Sequence, residues 1–406
     1  MPAREICPNI YWIGVNDRTT DLFEGRWPIT QEGVSYNSYL IADEKRAIID
    51  LGPSHKADEY FSQIDELGGF AGIDYLVVNH MEPDHTGLLQ TFRRLAPQVE
   101  ILGSARTKEM LGGFYSLRDR VRTVADGETL SLGRRTLKFF SAPFVHWPET
   151  IMTYETTDKI LFSCDAFGGF GALRGGLFDG DCLDLCFYER EALRYYANIV
   201  ANYSSRVLEA IAKLSDVPVG IVAPSHGLIW KREPERIIGH YKKWAEYGAG
   251  LTEPEITLIY GSMYGQTARL MNAVAKGVSD AGVRLEIFDA ARTHVSYILP
   301  SLWSRRGVIV GAPTYEVKLF PPVAEALTTA VNKRVAGRPA AYFGSYGWSG
   351  GALKDLKRIV EPARWDIQET LEFVGSPTGD DLKRGEELGR RFAEKLKGSS
   401  PVDAGH

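Results

Sequence analysis

The side chains best suited to metal chemistry are concentrated in one short segment, IDYLVVNHMEPDHTG, which spans residues 73–87. In it, His80, Glu82, Asp84 and His85 follow an apolar stretch, Tyr75–Val78, that the sequence predicts as a strand. Carboxylates and imidazoles at this density are costly to hold together unless cations neutralise them. The segment therefore predicts a metal site at the end of a strand.

Three further candidate ligands lie far along the chain but have the same placement. His146 follows LKFFSAPFV, Asp165 follows ILFSC and His226 follows VGIVAPS, and each of these apolar stretches predicts a strand. Parallel strands of one sheet end at the same edge, so we expect the four segments to converge on one site. That site would surround a space for two metal ions with imidazoles and carboxylates.

The spacing of these residues resembles the metallo-β-lactamase signature, H-x-H-x-D-H followed by a later His, Asp and His. This chain departs from it at one position, because Glu82 stands where the second histidine is expected. Zinc is satisfied by nitrogen and sulfur ligands, whereas a shell that also contains oxygen suits iron in both its ferrous and ferric states. The form H-x-E-x-D-H resembles the flavodiiron (A-type flavoprotein) family.

The resemblance implies a ligand for each position of a non-haem diiron centre. One iron ion would take His80, Glu82 and His146, and the other would take Asp84, His85 and His226. Asp165 would bridge the two ions. In some relatives the residue equivalent to His85 is displaced from the metal. No catalytic residue beyond these ligands is expected.

A second group of residues predicts a phosphate-binding loop in the C-terminal half. The predicted strand Ile256–Tyr260 leads into a loop and then into a helix at Thr267–Ala281. Hydroxyls and N–H groups at a helix N-terminus, together with the helix dipole, favour an anion. The loop contains no Lys or Arg, unlike a P-loop, and resembles the S-x-x-G-x-T loop that holds the FMN phosphate in flavodoxins. Its residues are Ser262, Met263, Tyr264, Gly265, Gln266 and Thr267.

Two further loops follow predicted strands at the same edge. Both combine an aromatic ring with polar or conformationally permissive residues, which suits the stacking and edge bonding of an isoalloxazine ring. The first loop consists of Ala312, Pro313, Thr314 and Tyr315. The second consists of Ser345, Tyr346, Gly347, Trp348, Ser349, Gly350 and Gly351. The three loops in this order predict an FMN site at the carboxyl edge of a parallel sheet.

The elements that must position these groups fall into two parts. Gly248, Gly250 and Pro254 interrupt the pattern near residue 250, so we expect one domain at 1–250 and another at 251–400. The fold class that we expect is α/β. It consists of an N-terminal metallo-β-lactamase-like αββα sandwich plus a C-terminal flavodoxin-like doubly wound parallel sheet.

Hydrophobic periodicity predicts particular elements in each part. In the first part, Tyr36–Ala42 and Arg46–Asp50 form a hairpin-like pair, and helices cover Asp58–Leu67, Thr86–Leu95 and Glu191–Leu214. In the second part, strands and helices alternate. After the first strand and helix, the predicted elements are strands at Arg284–Asp289, Gly307–Gly311, Ala340–Phe343 and Glu369–Val374 and helices at Pro321–Asn332, Ala352–Ile359 and Asp380–Lys397.

Together the two parts resemble flavodiiron proteins over residues 4–397. The resemblance implies an oxidoreductase that reduces dioxygen to water and/or nitric oxide to nitrous oxide. Electrons would pass from an external donor, such as rubredoxin or a reduced deazaflavin, through FMN to two iron ions. It also implies a head-to-tail homodimer or a dimer of such dimers, with Trp348 near the junction. No donor module follows the flavodoxin-like part, so we expect a separate donor.

Composition excludes several other classes of function. The net charge is −5 and the pI is about 6.0, which does not suggest nucleic-acid binding. No apolar run approaches the roughly 20 residues that span a bilayer, and the N-terminus lacks the features of a signal peptide. These observations predict a cytoplasmic protein that binds neither nucleic acid nor membrane.

The remaining cysteines and histidines have ordinary interpretations. Cys7, Cys164, Cys182 and Cys186 include no Cys-x-x-Cys pair, which argues against a rubredoxin-like or zinc-ribbon module. Cys182 and Cys186 could pair under oxidation, but we expect buried, reduced thiols. We also expect structural roles for the three isolated histidines and a polar C-terminal tail at residues 398–406. The isolated histidines are His55, His240 and His294.

Two other functions remain open at the level of sequence. The first is a zinc-dependent hydrolase of the metallo-β-lactamase superfamily with a regulatory FMN domain, although Glu82 argues against it. The second is a redox or oxygen sensor that uses the same cofactors. Metal analysis would distinguish the zinc hydrolase from a flavodiiron oxidoreductase. Steady-state gas consumption would distinguish the sensor from it.

Overall fold

A computed structural model describes residues 2–398 of the chain. The chain forms two compact units that divide between Lys243 and Trp244. Each unit has its own hydrophobic core. The predicted polar tail lies, apart from Gly398, outside the described residues.

Within the described residues, the first unit contains two main sheets, two small two-stranded sheets and seven α-helices. Its strands are β1 Arg4–Cys7, β2 Ile10–Trp12, β3 Val15–Asp17, β4 Leu22–Phe23, β5 Trp27–Pro28, β6 Val34–Tyr36, β7 Tyr39–Ala42, β8 Arg46–Ile49, β9 Ile73–Val77, β10 Glu100–Gly103, β11 Val121–Thr123, β12 Thr129–Ser131, β13 Thr136–Ser141, β14 Ile151–Glu155, β15 Ile160–Cys164 and β16 Ile221–Pro224. Its helices are α1 Ala57–Glu66, α2 Pro83–Thr86, α3 Leu89–Leu95, α4 Ala105–Tyr115, α5 Leu185–Tyr195, α6 Ser204–Lys213 and α7 Pro234–Tyr247. The small sheets pair β3 with β6 and β4 with β5.

The two main sheets of this unit face one another across a shared apolar core. The first has the order β1-β2-β7-β8-β9-β10-β11 and the second the order β12-β13-β14-β15-β16. The core contains Trp12, Ile49 and Val77 from the first sheet and Phe139 and Phe162 from the second. The antiparallel pairing of β7 with β8 confirms the predicted hairpin. The αββα sandwich expected from the sequence is thus confirmed.

The strands that lead to the candidate ligands do not all belong to one sheet, so the expectation of a single sheet is wrong. β9 lies in the first sheet, whereas β13, β15 and β16 lie in the second. β15 and β16 are parallel, and β13 has the same direction because it is separated from β15 by the antiparallel strand β14. The ligands therefore meet where strand ends of two facing sheets come together.

Two helices predicted in this unit are interrupted. The predicted helix Thr86–Leu95 is divided between α2 and α3, and the predicted helix Glu191–Leu214 is divided between α5 and α6. A π-helical turn, Tyr196–Val200, separates the latter pair and is followed by a short 3₁₀ turn. The apolar spacing continues through this turn, because all five of its residues are buried. Hydrophobic spacing does not reveal such a change in hydrogen-bond register.

The second unit is a five-stranded parallel sheet with helices. Its main strands are β17 Glu253–Tyr260, β18 Leu285–Asp289, β19 Arg305–Gly311, β22 Pro339–Tyr346 and β23 Asp366–Val374, and a small hairpin is formed by β20 Thr314–Tyr315 and β21 Lys318–Leu319. Its helices are α8 Gln266–Asp280, α9 Val295–Ser304, α10 Pro321–Asn332, α11 Ala352–Val360 and α12 Gly379–Gly398.

The order of this sheet is β18-β17-β19-β22-β23, with every neighbouring pair parallel. This is the flavodoxin-like order, in which the order of strand addition reverses between β17 and β19. Helices cover the sheet, which explains the continuous apolar runs in its strands. α12 contributes Leu388, Phe392 and Leu396 to the core at the spacing of a helical face. The predicted doubly wound sheet is confirmed.

One helix of this unit was not predicted. α9 contains Pro300, and most of its residues are buried rather than divided between an apolar and a polar face. A helix that is apolar on all sides has no amphipathic period to detect. Pro300 also weakens a helical interpretation of the sequence.

The four cysteines are free thiols. Cys164 is buried and Cys7 and Cys182 are partly buried, but Cys186 is exposed near the start of α5. The expectation of buried thiols is therefore wrong for Cys186. Among the described residues, no helix combines the length and apolar character that crossing a bilayer requires.

Candidate metal centre and ligand cavity

The first group of candidate ligands is placed by the end of β9 and the short helix that follows it. His80 lies just beyond the strand, where Asn79 donates its N–H to Oδ1 of Asp50 at 2.7 Å. Pro83 occupies the first position of α2, where its fixed φ favours the start of a helix. The turn of α2 then carries Asp84 and His85.

Four of the predicted ligands converge on one point, and three of them form what we call subsite A. The fourth, Asp165, is shared with a second group of ligands. Nε2 of His146 lies 3.2 Å from Oε2 of Glu82 and 3.0 Å from Oδ2 of Asp165. Nε2 of His80 lies 3.3 Å from Oε2 of Glu82 and 3.4 Å from Oδ2 of Asp165. Subsite A therefore consists of His80, Glu82 and His146 around one oxygen of Asp165.

The other three predicted ligands converge on the second oxygen of the same carboxylate. Nε2 of His85 lies 3.0 Å from Oδ1 of Asp165, and Nε2 of His226 lies 3.2 Å from it. Asp84 faces these imidazoles at 3.4 Å from His85 and 3.3 Å from His226. We call Asp84, His85 and His226 subsite B. The structure thus brings all seven predicted ligands together, with Asp165 between the subsites.

The distances between these atoms suit the coordination of two cations better than direct hydrogen bonding between the side chains. Two ligands at right angles, each about 2.1 Å from an ion, are about 3.0 Å apart, which is close to the observed separations of 3.0–3.4 Å. Several of the buried ligand atoms also have no hydrogen-bond partner among the described residues. They are both oxygens of Asp84, both ring nitrogens of His85, Oδ1 of Asp165 and Nε2 of His226. Buried polar atoms are rarely left unsatisfied, so their arrangement indicates metal coordination.

The ligand side chains strongly shift one another's pKa values. Burial lowers the pKa of His146, but hydrogen bonds with Asp165 and Glu82 outweigh it and raise the pKa to about 9. Burial also lowers the pKa of His226, but the negative charges of Asp165 and Asp84, each about 3.2–3.3 Å from Nε2, outweigh it and raise the pKa to about 10. The imidazoles lower the pKa of Asp165 well below its usual value although burial opposes this. The carboxylates therefore favour positive charge within the cluster, which is what a site for metal cations requires.

Two histidine ligands are oriented by hydrogen bonds that sequence reasoning missed. Nδ1 of His80 lies 2.7 Å from Oε1 of Glu149, and the same oxygen accepts the N–H of Met81 at 2.8 Å. Nδ1 of His226 lies 2.8 Å from the carbonyl oxygen of Ser35. Partners of this kind fix the ring orientation of metal-binding histidines. Glu149 belongs to no motif, so only its position three residues after His146 could have drawn attention to it.

Other groups near the ligands were also missed by sequence reasoning. The rings of Phe23, Tyr36 and Tyr195 approach that of His226 at centroid distances of 5.5, 5.5 and 5.6 Å. The hydroxyl of Tyr195 is buried without a hydrogen-bond partner in the described part of the chain. Partial burial and the neighbouring Glu82 raise the pKa of Glu24 to about 7. The aromatic rings surround His226, which is fully buried.

The flavin-type loops surround a cavity of about 640 Å³ in the second unit. Such a volume is in the ordinary range for a small-molecule site. The predicted residues that line it are Ser262, Met263, Tyr264, Gln266, Thr267, Pro313, Thr314, Tyr315, Ser345, Tyr346, Gly347, Trp348 and Ser349. Four lining residues were not predicted, namely Glu316, Val317, Gly375 and Ser376. Gly375 and Ser376 follow β23, whose loop carries no motif that would have identified it.

Four predicted contacts shape the loops instead of lining the cavity. Gly265 has a φ of +87° immediately before α8, and its N–H donates to Oγ of Ser262 at 3.0 Å. Gly351 has a φ of +149°, and a Cβ there would lie 2.2 Å from the carbonyl oxygen of Val317. Ala312 is buried, with its N–H bonded to Phe343. A Cβ at Gly350 would lie 3.6 Å from Glu372, in ordinary van der Waals contact.

The chemistry of the lining suits a phosphate and a flat aromatic ring. One side of the cavity is the N-terminus of α8, where the hydroxyls of Thr267 and Ser345 lie 3.1 Å apart. The lining contains no Lys or Arg, so an anion there depends on hydroxyls, N–H groups and the helix dipole. Tyr264 and Trp348 are 90% and 95% exposed beside the cavity. Their rings offer the apolar faces on which an isoalloxazine ring stacks.

Comparisons with known proteins agree with this pairing of sites. Residues 34–227 match the family model described as ODP family beta lactamase, and residues 258–388 match the flavodoxin model. The chain is 33% identical over 398 residues to the nitric oxide reductase of Moorella thermoacetica, covering 96% of this chain and 98% of that protein.

Solved structures of two related proteins also match this chain over nearly its whole length. The rubredoxin oxygen:oxidoreductase of Desulfovibrio gigas has a TM-score of 0.92 at 28% identity, covering 99% of this chain and all of that one. The flavodiiron protein of Giardia intestinalis has a TM-score of 0.91 at 28% identity, covering 98% and 97% of the two chains. The chain belongs to the flavodiiron protein family. It is an oxidoreductase whose cofactors are FMN and a non-haem diiron centre.

Membership of the flavodiiron family decides between the functions left open by the sequence. The relatives are named as oxidoreductases, and the flavodoxin match accounts for the second cavity. The prediction of a flavodiiron oxidoreductase is confirmed. Neither the zinc hydrolase nor the sensor receives support from these relatives.

Proposed function

We propose that this flavodiiron protein reduces dioxygen to water and/or nitric oxide to nitrous oxide. The observation that carries the proposal is the position of Asp165, whose two oxygens each face a separate group of ligand atoms. The second unit of the same chain supplies the flavin cavity. The names of the relatives give the two candidate gases, since one is a nitric oxide reductase and another an oxygen oxidoreductase.

We assign subsite A to one iron ion, subsite B to the other and Asp165 to the bridge between them. The convergence of the nitrogens and oxygens supports this assignment. His85 is included as a ligand because its Nε2 faces Asp165 and has no hydrogen-bond partner among the described residues. When bound, the flavin and the iron pair supply the electrons that the gas accepts.

The protein's own side chains provide the surroundings for that reaction. Glu149 and the Ser35 carbonyl oxygen orient two of the ligand imidazoles. Phe23 and Tyr36 pack against His226 and exclude water from that ligand, which is fully buried. A dry and preorganised site strengthens electrostatic interactions with the reacting atoms. Tyr195 places a buried hydroxyl beside the centre, where it has no other hydrogen-bond partner among the described residues.

The partners and the assembly are the finer parts of the proposal. We propose an external electron donor, with rubredoxin favoured by the name of the D. gigas relative and a reduced deazaflavin as the alternative. We further propose a head-to-tail homodimer or dimer of dimers in which Trp348 lies near the junction, since its ring is 95% exposed. The cytoplasmic location and the domain limits of 1–250 and 251–400 remain predictions of the sequence.

The direct test is gas consumption by the iron- and FMN-loaded protein with a chemically reduced donor. We expect steady-state loss of nitric oxide, dioxygen or both, measured with gas-selective electrodes in parallel assays. Asp165→Ala should lose iron and gas reduction but keep yellow FMN, because it removes the carboxylate that both subsites share. Asp126→Ala is the control, since this exposed carboxylate pairs with Lys213 and touches no ligand. Full gas reduction by the Asp165→Ala protein would refute the bridging role.

A further inference from the structure

The hydrogen-bond partners of the histidine ligands differ between the two subsites. In subsite A, His80 is bonded to a carboxylate, Glu149, that is 1% exposed. In subsite B, His226 is bonded to the neutral carbonyl oxygen of Ser35, and Nδ1 of His85 has no partner among the described residues. The two subsites are therefore supported unequally, although each contains two imidazoles and one carboxylate of its own.

Hydrogen bonds and burial fix the position of the Glu149 carboxylate. Its Oε1 accepts both the imidazole of His80 and the N–H of Met81, at 2.7 and 2.8 Å. Its Oε2 is buried and has no hydrogen-bond partner in the described residues. A carboxylate buried in this way directs its interaction toward His80, since little else is available to it. A negatively charged partner makes the imidazole a more basic ligand and fixes its orientation.

We propose that Glu149 makes the two metal subsites unequal, so that subsite A holds its iron more tightly and stabilises the ferric state more strongly than subsite B. This inference rests on the proposed ligand assignment but adds a residue to it. The cause is electrostatic, because a basic ligand favours the more highly charged ion. Glu149 is a positioning and tuning residue, since it acts through His80 and not on the substrate.

Glu149→Gln isolates the charge from the geometry. The amide oxygen of Gln still accepts the bonds from His80 and Met81, so the loop and the ring orientation are retained. Glu155→Gln is the matched control, because Glu155 is an equally buried carboxylate that accepts the N–H groups of Thr157 and Asp158 and bonds no ligand imidazole. Asp84→Asn identifies the iron-release phase of subsite B, because it weakens a ligand that belongs only to that subsite.

The test follows iron release from the full-length protein. The FMN-bound chain is loaded with two ferrous ions in the absence of gas and mixed with an excess of a colorimetric ferrous chelator. We expect two release phases of one iron each, with the fast phase absent or altered in Asp84→Asn. Glu149→Gln should accelerate the slow phase by about 10- to 100-fold, whereas Glu155→Gln should leave it unchanged. A redox titration should show a more positive midpoint potential for one iron in Glu149→Gln.

Each outcome has a distinct meaning. A slow phase that is the same in Glu149→Gln and in the wild type overturns the inference, and so does an equal acceleration in Glu155→Gln. A single release phase for both irons of the wild type overturns it without any variant. If the wild-type chain holds fewer than two irons, the proposed diiron assignment itself fails. These results separate the failure of the inference from the failure of the proposed function.

Discussion

At the scale of single residues, the choice of metal depends most on Glu82. Its Oε2 faces both His80 and His146 in subsite A, where the related hydrolase signature has a histidine. The carboxylate contributes an oxygen donor and a negative charge, both of which favour iron over zinc. The surrounding imidazoles keep its pKa far below the usual value, although burial opposes this.

Exchanging that one ligand should therefore change the metal preference. We expect Glu82→His to bind zinc in place of iron at subsite A when both metals are offered, because the subsite then resembles the nitrogen-rich zinc sites. Metal content per chain after competitive loading, measured by mass spectrometry, checks this. Glu66→His, at an exposed position of α1, is the control and should keep the wild-type ratio. An unchanged iron preference in Glu82→His would show that the remaining ligands select the metal.

The seven ligands were predictable from the sequence, whereas their supporting residues were not. His80, Glu82, Asp84 and His85 form a dense motif, and the other three each follow an apolar strand. Glu149 is a single carboxylate, and Ser35 contributes a backbone carbonyl oxygen. A backbone atom has no sequence signature, and a lone carboxylate is usually solvated. Their roles emerge only when the two sheets are brought face to face.

At the scale of elements, the flavin cavity depends on the loop between β22 and α11. Gly351 closes this loop with a φ of +149°, and a Cβ there would meet the carbonyl oxygen of Val317. Val317 belongs to the two-residue turn of the β20–β21 hairpin, in which Glu316 and Val317 both have positive φ. Two loops that line the cavity are therefore packed directly against one another. Strained turns of this kind cluster at ligand sites.

Adding one methyl group at that contact should weaken flavin binding. We expect Gly351→Ala to cost about 1–3 kcal/mol in strain and to loosen FMN by at least about tenfold, because the loop must move away from Val317. Titration of the FMN-free protein by flavin fluorescence measures this. Gly350→Ala is the neighbouring control, since its Cβ would lie 3.6 Å from Glu372, in ordinary contact. Equal affinities for the two variants would show that the hairpin contact does not shape the site.

Helices and strands were predicted well where the spacing of apolar residues was regular. The alternation of strands and amphipathic helices identified the parallel sheet, and the core face of α12 repeats every four residues. The π-turn at Tyr196–Val200 and the helix α9 were missed for different reasons. The first changes the backbone register without changing the apolar pattern, and the second has no polar face and contains Pro300. Periodicity alone carries no information on either feature.

At the scale of the whole molecule, metal and flavin are bound by separate units. The apolar core of the first unit lies between its two sheets, and that of the second lies between its own sheet and α8 and α12. The ligands of the metal centre all lie before residue 244, and the cavity lining lies after it. Loss of one cofactor should therefore leave the other in place.

Removal of iron tests this independence. We expect a chelator and a reductant to remove both irons and abolish gas reduction, while FMN stays bound after desalting. The visible spectrum of the flavin and the iron content per chain measure the two cofactors separately. Restoration of gas reduction by ferrous iron alone would support separate binding, whereas loss of FMN together with iron would contradict it.

The central claim is that seven side chains hold two iron ions that share Asp165. Anomalous diffraction at the iron absorption edge, from crystals of the iron-loaded protein, tests it most directly. The account predicts two iron peaks, one among His80, Glu82 and His146 and one among Asp84, His85 and His226, each beside a different oxygen of Asp165. A single peak, or two peaks that appear at the zinc edge instead, would contradict it.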